Sequence, residues 1–142
     1  MIRPFTEEDT DAVVAVWLEA SLQAHSFIPE RFWLDHAKDM RELYLPASDV
    51  ILVYEEGGAI GGFMAMVGDY VAALFVAPEF QRRGIGSRLL RIAERISPSL
   101  CLNVYEKNAG AIAFYEKNGF RITGTRVEKE SGETECEMEK IH

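Results

Sequence analysis

An apolar strand, Tyr70-Val-Ala-Ala-Leu-Phe-Val76, runs past Pro78 into Gln81-Arg-Arg-Gly-Ile-Gly-Ser87, and Ile85, Leu89, Ile92, Ala93 and Ile96 mark a helix from there. A strand apolar on both faces belongs inside a sheet covered on both sides. A helix start leaves backbone N–H groups without intrahelical partners and carries partial positive charge. Glycine lets the backbone come close to a ligand, and successive N–H groups form a concave anion seat. The residues alone leave two readings: a plain charged turn, or a seat for a pyrophosphate, with Arg82 and Arg83 adding charge. Two familiar phosphate loops are excluded. The segment lacks the Gly-Lys-Ser/Thr ending of a P-loop, and Leu89 stands where a dinucleotide fingerprint needs its third glycine.

The rest of the chain supplies a frame for this turn. Met1 to Phe5 reads as a short strand, and Thr6 caps a helix with Asp9 three residues on. Ala12, Val13, Val16, Trp17 and Ala20 form that helix's apolar face. His25-Ser-Phe-Ile-Pro29 interrupts it. A second helix follows Pro29, with Trp33, Ala37, Met40 and Tyr44 at helical spacing, and Pro46 is expected to end it. Val50–Tyr54 and Ile60–Val67 read as a hairpin across Gly57-Gly58. Leu100–Tyr105 is a further buried strand, and Asn108 caps a helix that closes at Gly119. Phe120–Val127 and Thr134–Met138 form a last hairpin across Ser131-Gly132. In its second strand Thr134, Cys136 and Met138 point inward, while Glu133, Glu135, Glu137 and Glu139 form a wet acidic face. The order β-α-α-β-β-β-α-β-α-β-β specifies one α+β domain over residues 1–142.

At 142 residues the chain is long enough for a core of its own. The formal charge of −8 argues against binding nucleic acid through a broad basic face. It is compatible with a cationic substrate such as an amine. Cys101 and Cys136 lie in apolar or alternating runs and read as small core residues, with no disulfide or metal pair. The first residues lack the pattern of a secretion signal, and no apolar run is long enough to span a bilayer. A reduced, cytoplasmic protein, monomer or homodimer, is the expectation.

A second motif, Asn103-Val-Tyr-Glu-Lys-Asn-Ala-Gly-Ala-Ile-Ala-Phe-Tyr-Glu-Lys-Asn-Gly-Phe120, follows the next buried strand. Gln81-x-x-Gly-x-Gly86 after an apolar strand, then Asn108-x-x-Ala-x-x-Phe-Tyr-x-x-x-Gly-Phe120, together resemble the GNAT superfamily of acyl-CoA N-acyltransferases. The element order matches that fold along essentially the whole chain. The resemblance implies a mixed central sheet of about seven strands with a splayed parallel pair, and four flanking helices. The splayed strands would be Tyr70–Val76 and Leu100–Tyr105, with the pantetheine arm of acetyl-CoA between them.

Carried over residue by residue, the resemblance implies that backbone groups of Leu74, Phe75 and Val76 bond the pantetheine and acetyl carbonyl. Gln81, Arg82, Arg83, Gly84, Ile85, Gly86 and Ser87 would form the pyrophosphate seat. Asn108 would contact the pantetheine arm, and Arg88 or Lys117 would reach the adenosine phosphates. Tyr115 matches the family position that often acts as general acid to the departing CoA thiolate; on the residues alone it reads as a ring packed beside Phe114 with its hydroxyl in water. The base is not named: Glu106, Asp69 and His25 are candidates, the first two reading otherwise as solvated loop carboxylates. His25, Phe27, Tyr70 and Tyr105 are candidate acceptor contacts. Trp33 reads as core, His36 as structural and His142 as a terminal residue. Ala72 and Ala73 leave room for acyl groups beyond acetyl. The expected activity is transfer of acetyl from acetyl-CoA, without metal, to a primary amine on a small molecule or a protein. The alternatives are a non-catalytic acyl-CoA sensor and an enzyme acylating aminoacyl-tRNA.

Overall fold

The computed structural model describes residues 1–141; His142 falls outside them. Alternating apolar residues build seven strands into one mixed sheet, ordered β1-β2-β3-β4-β5-β7-β6. β1 (Ile2–Pro4), β2 (Val50–Glu56), β3 (Ala59–Val67) and β4 (Tyr70–Val76) are antiparallel neighbours, and β2 and β3 turn across Gly57-Gly58. β5 (Ser99–Tyr105), β7 (Thr134–Ile141) and β6 (Arg121–Val127) form a second antiparallel group. The two groups meet where β4 and β5 run parallel, and there a single residue pair, Tyr70 with Cys101, is in register. Beyond it the strands part.

α1 (Thr10–Ala24) and α2 (Glu30–Asp39) cover one sheet face; α4 (Ile85–Ile96) and α5 (Ala109–Lys117) cover the other, and α3 (Leu45–Ala47) is a single turn. The period-two pattern of β5 divides its residues between these faces. Leu100, Leu102 and Val104 pack with Leu89, Leu90 and Ala93 of α4 and with Tyr115 of α5. Tyr105 faces the other core, where Val13 and Trp17 of α1 meet Trp33, Val53, Phe63 and Ala73.

Three local expectations need correction; a fourth, the Thr6 cap with Asp9, holds, over a 3-10 turn, Glu7–Asp9, that leads into α1. The Thr6 N–H donates to Asp9 Oδ2 at 2.8 Å, but the Asp9 carboxylate is also gripped by both terminal nitrogens of Arg3 at 2.8 Å. Pro46 does not end the second helix at Tyr44. Met40–Tyr44 widens into a π turn, with Leu45 N–H bonded to Met40 O, and Pro46 then sits in the first turn of α3, where its missing N–H costs nothing. β4 is not buried on both faces: Val71 and Ala73 are buried, Ala72 is exposed at a bulge, and Leu74 to Val76 are half-buried because β5 has diverged. Cys101 is half-buried with its Sγ 3.8 Å from Asp69 Oδ1, whereas Cys136 lies in the core; both thiols are free.

Candidate active site

The parting of β4 and β5 opens a cleft of about 890 Å³, lined from both strands, the start of α4, α5 and the end of α1. At one end stands the Gln81–Ser87 turn. Arg82 has φ 66° and Gly84, the residue before α4, has φ 76°, so the chain enters the helix through two left-handed residues. The first bond of the α4 ladder is Arg88 N–H to Gly84 O at 3.1 Å, which leaves the amides of Ile85, Gly86 and Ser87 without intrahelical acceptors. A Cβ on Gly86 would lie 3.1 Å from the Phe114 ring, so this position also sets how closely α4 approaches α5. The Gln81 side-chain nitrogen donates to Val76 O at 3.0 Å and to Gln23 Oε1 at 2.8 Å, pinning the turn to β4 and α1.

Of the expected ligand contacts, Leu74, Phe75, Val76, Gln81, Arg82, Gly84, Ile85, Gly86 and Ser87 line the cleft. Arg83 does not: its guanidinium bonds Glu56 Oε2 at 3.0 Å and lies over the Phe80 ring. Lys117 lines the cleft, while the Arg88 guanidinium lies 5.5 Å from the centre of the Tyr54 ring instead. Ala72 and Ala73 are also in the lining.

Tyr115 lines the cleft from α5 and is held by the end of its helix. Phe120 N–H bonds Tyr115 O and Gly119 N–H bonds Glu116 O, both at 3.0 Å, and the Phe120 ring meets the Tyr115 ring at 5.5 Å. This is a Schellman cap, and its apolar contact is Tyr115 itself. The Tyr115 hydroxyl makes no hydrogen bond to a described residue. Burial pushes its proton affinity well above the ordinary phenol value, and the neighbouring Tyr70 adds to this.

Across the cleft His25 is 6% exposed, stacked on Trp33 at 5.0 Å and edge-on to Tyr105 at 5.1 Å. Asn108, which also lines the cleft, fixes its tautomer. The Asn108 side-chain oxygen accepts from Ala111 N–H at 3.1 Å, so its NH₂ must donate to His25 Nε2, also at 3.1 Å. The ring proton therefore sits on Nδ1, which is buried without a partner. Burial lowers the His25 pKa to about 4. A neutral ring with its lone pair already engaged is a support, not a free base. Tyr70 and Tyr105 line the cleft, and Phe27 stands behind them, its ring 5.8 Å from that of Tyr105. Trp33 is at once core and lining. Glu106 and Asp69 are exposed and outside the cleft. His36 tethers α2 to the turn before β7, its two ring nitrogens meeting Phe32 O at 2.6 Å and Glu130 Oε2 at 2.5 Å.

Sequence reasoning missed one group of residues. Asn103 satisfies both its amide atoms when its oxygen faces the Tyr70 hydroxyl at 3.3 Å and Arg126 Nη2 at 3.2 Å. Arg126 in turn donates through Nε and Nη2 to Glu135 Oε1, each at 3.2 Å. Glu135 lines the cleft with its side chain 13% exposed, and burial raises its pKa against the pull of Arg126. Strand alternation gives the face of Glu135 but carries no signal that the face borders the opening.

Comparison with known proteins gives concordant results. Residues 46–122 match the acetyltransferase (GNAT) domain family. The chain is 41% identical over 123 residues to the peptidyl-lysine N-acetyltransferase YiaC of Escherichia coli K12, covering 86% of this chain and 84% of that protein. The solution structure of apo YjaB from Escherichia coli superposes with a TM-score of 0.86 at 28% identity, over 98% of this chain and 95% of that one. The PaiA N-acetyltransferase of Thermoplasma acidophilum, solved with coenzyme A, shares the fold at a TM-score of 0.81 and 21% identity, over 100% and 98% of the two chains. Among the described residues no group of three or more His, Cys, Asp or Glu is arranged to hold a metal, and no helix is long and apolar enough to cross a membrane.

Proposed function

Because the chain belongs to the GNAT family of acetyltransferases, we propose that it moves an acetyl group from acetyl-CoA, its co-substrate, to a primary amine in a ternary complex. The whole chain acts as one catalytic domain. The observation that carries the reading is the cleft itself: unpaired amides at one end, a buried phenol facing it midway, and an aromatic wall at the other end. The amides of Ile85, Gly86 and Ser87, at the positive end of α4, hold the diphosphate, with Arg82 at the rim and Lys117 toward the adenosine. The inner edge of β4, from Leu74 to Val76, which pairs with no strand and spends Val76 O on Gln81, bonds the pantetheine arm. Asn108 holds the far side of the arm through α5.

When the amine nitrogen attacks the thioester carbon, the C–S bond breaks and its electrons collect on sulfur. Tyr115 delivers its proton there. Its raised proton affinity keeps the phenol protonated at neutral pH, so the acid is always loaded. The acceptor enters on the face of Tyr70, Tyr105 and His25, with Phe27 supporting that wall. YiaC, with a peptidyl-lysine acceptor in its name, favours a protein lysine over a small amine.

The test is two-part. Calorimetry with acetyl-CoA must show binding, and release of free CoA thiol must depend on an added amine. Tyr115→Phe is expected to bind acetyl-CoA as the wild type does and to lose about 10²–10⁴-fold in turnover at saturating substrates. Unchanged turnover would end the acid assignment. Binding without transfer in the wild type would favour a sensor, and salt-sensitive tRNA binding would favour the aminoacyl-tRNA reading.

A further inference from the structure

The geometry points to Glu135 as the residue that receives the acceptor as a cation and takes its first proton, making the site selective for alkylammonium groups over neutral nucleophiles. This rests on the acetyl-transfer reading above. β5 places Asn103 and Tyr105 on the sheet face opposite Tyr115, and the β5–β7 register sets Glu137 beside Asn103 and Glu135 beside Tyr105. On the β4 side the Tyr70 hydroxyl bonds Asn103. The result is a polar floor at the parting of the strands, approached from the side opposite the phenol.

Within that floor Glu135 is the carboxylate that borders the cleft. Both bonds from Arg126 end on Oε1, so Oε2 takes no hydrogen bond from a described residue. Arg126 thus fixes the carboxylate without using up its second oxygen. A primary ammonium has three donors, and Oε2 and the Tyr70 hydroxyl oxygen are acceptors for two of them. The proton balance closes. One N–H bond of the ammonium breaks and its proton passes to Glu135 Oε2, directly or through one water. The freed lone pair forms the C–N bond as C–S breaks, and Tyr115 protonates sulfur. The nitrogen's surplus proton replaces the one Tyr115 gave up, and Glu135 returns its proton to solvent. The products are the amide, CoA thiol and one proton.

The charged and titratable groups facing Glu135 are Tyr70 of β4, Tyr105 of β5, Arg126 of β6, Glu128 in the turn, and Glu137 on β7 itself. Burial raises the proton affinity of Glu135, Arg126 opposes this, and the two carboxylates add to it.

The experiment compares wild type, Glu135→Gln and Glu135→Asp, using the primary amine the wild type turns over fastest in a panel of lysine peptides and alkyl diamines. For Glu135→Gln the expected result is an unchanged acetyl-CoA dissociation constant and a kcat/KM for the amine lower by about 10²-fold at pH 7. The deficit is expected to shrink toward pH 9.5, because an alkylamine with a pKa of about 10.4 then supplies its own neutral form. Glu135→Asp, which retains a carboxylate, is expected to recover part of the loss. A loss that is constant with pH, a parallel loss of acetyl-CoA binding, or no loss at all overturns the assignment. If the wild type binds acetyl-CoA and acetylates no amine in the panel, the transfer reading itself fails, and this inference with it.

Discussion

Asn108 joins two distant parts of the protein with one amide, and replacing it separates their contributions. Its oxygen caps α5 and its nitrogen satisfies His25, 83 residues away in sequence. In Asn108→Ala the cap is lost, costing about 1 kcal/mol. His25 Nε2 is then left buried beside an already unpartnered Nδ1, costing roughly 1–3 kcal/mol more. The sum is about 2–4 kcal/mol. For a domain of this size that lowers the melting temperature by roughly 6–12 °C. In Asn108→Asp the cap oxygen remains, and a negative charge at the helix start is favourable by about 0.3–1 kcal/mol. The second carboxylate oxygen, however, now faces a ring nitrogen that carries no proton. His25 must move its proton to Nε2 or gain a second one, so its pKa rises from about 4. Thermal melts of both variants, with proton NMR titration of His25 in the Asp variant, measure the two effects. The tautomer argument is refuted if the His25 titration is the same in wild type and Asp variant. Equal melting of the Ala variant and wild type refutes the energetics.

Two further outcomes follow from named contacts. Gly119 has φ +96° and lies against the Lys140 side chain, so Gly119→Ala is expected to cost about 1–3 kcal/mol in chemical denaturation. It is also expected to lower turnover, because the same cap orients Tyr115; a variant destabilised with full turnover would show that the cap does not position the phenol. The two histidines among the described residues give opposite pH dependences. The folded pKa of His25 lies below the unfolded value near 6.5, so its neutral-form stabilisation is present above that value and fades as pH falls toward 4, by about 3 kcal/mol in all. Against the pull of burial, the acceptors Phe32 O and Glu130 Oε2 at the two ring nitrogens of His36 favour its charged form; its folded pKa is raised, and its contribution is present in acid and lost as pH climbs through that value. Unfolding free energies at pH 4.5, 6 and 8.5 should therefore lose the alkaline decline in His36→Gln and keep the acid one.

The parts of this architecture written in local pattern were legible: the buried strand before the glycine turn, the helix behind it, the Gly57-Gly58 hairpin, and Asn108 and Gly119 at the two ends of α5. Features set by partners far along the chain were not. Asp9 was readable as a capping residue, but its capture by Arg3 was not. The wide turn before Pro46 depends on packing that no residue type announces. The apolar run of β4 suggested burial on both sides, because the departure of β5 from it is a tertiary event. Glu135 looked like one more member of a wet acidic row. Only the insertion of β7 beside β5 sets it at the border of the cleft.

The single rung between Tyr70 and Cys101 makes the sheet two plates joined at a corner. Along the open margin the main chain of β4 offers donors and acceptors that no neighbouring strand uses. A long, flexible molecule with amide groups of its own, laid into that seam, would act as a temporary eighth strand. Loading the enzyme would then join the two plates along the seam as well as through the core they share.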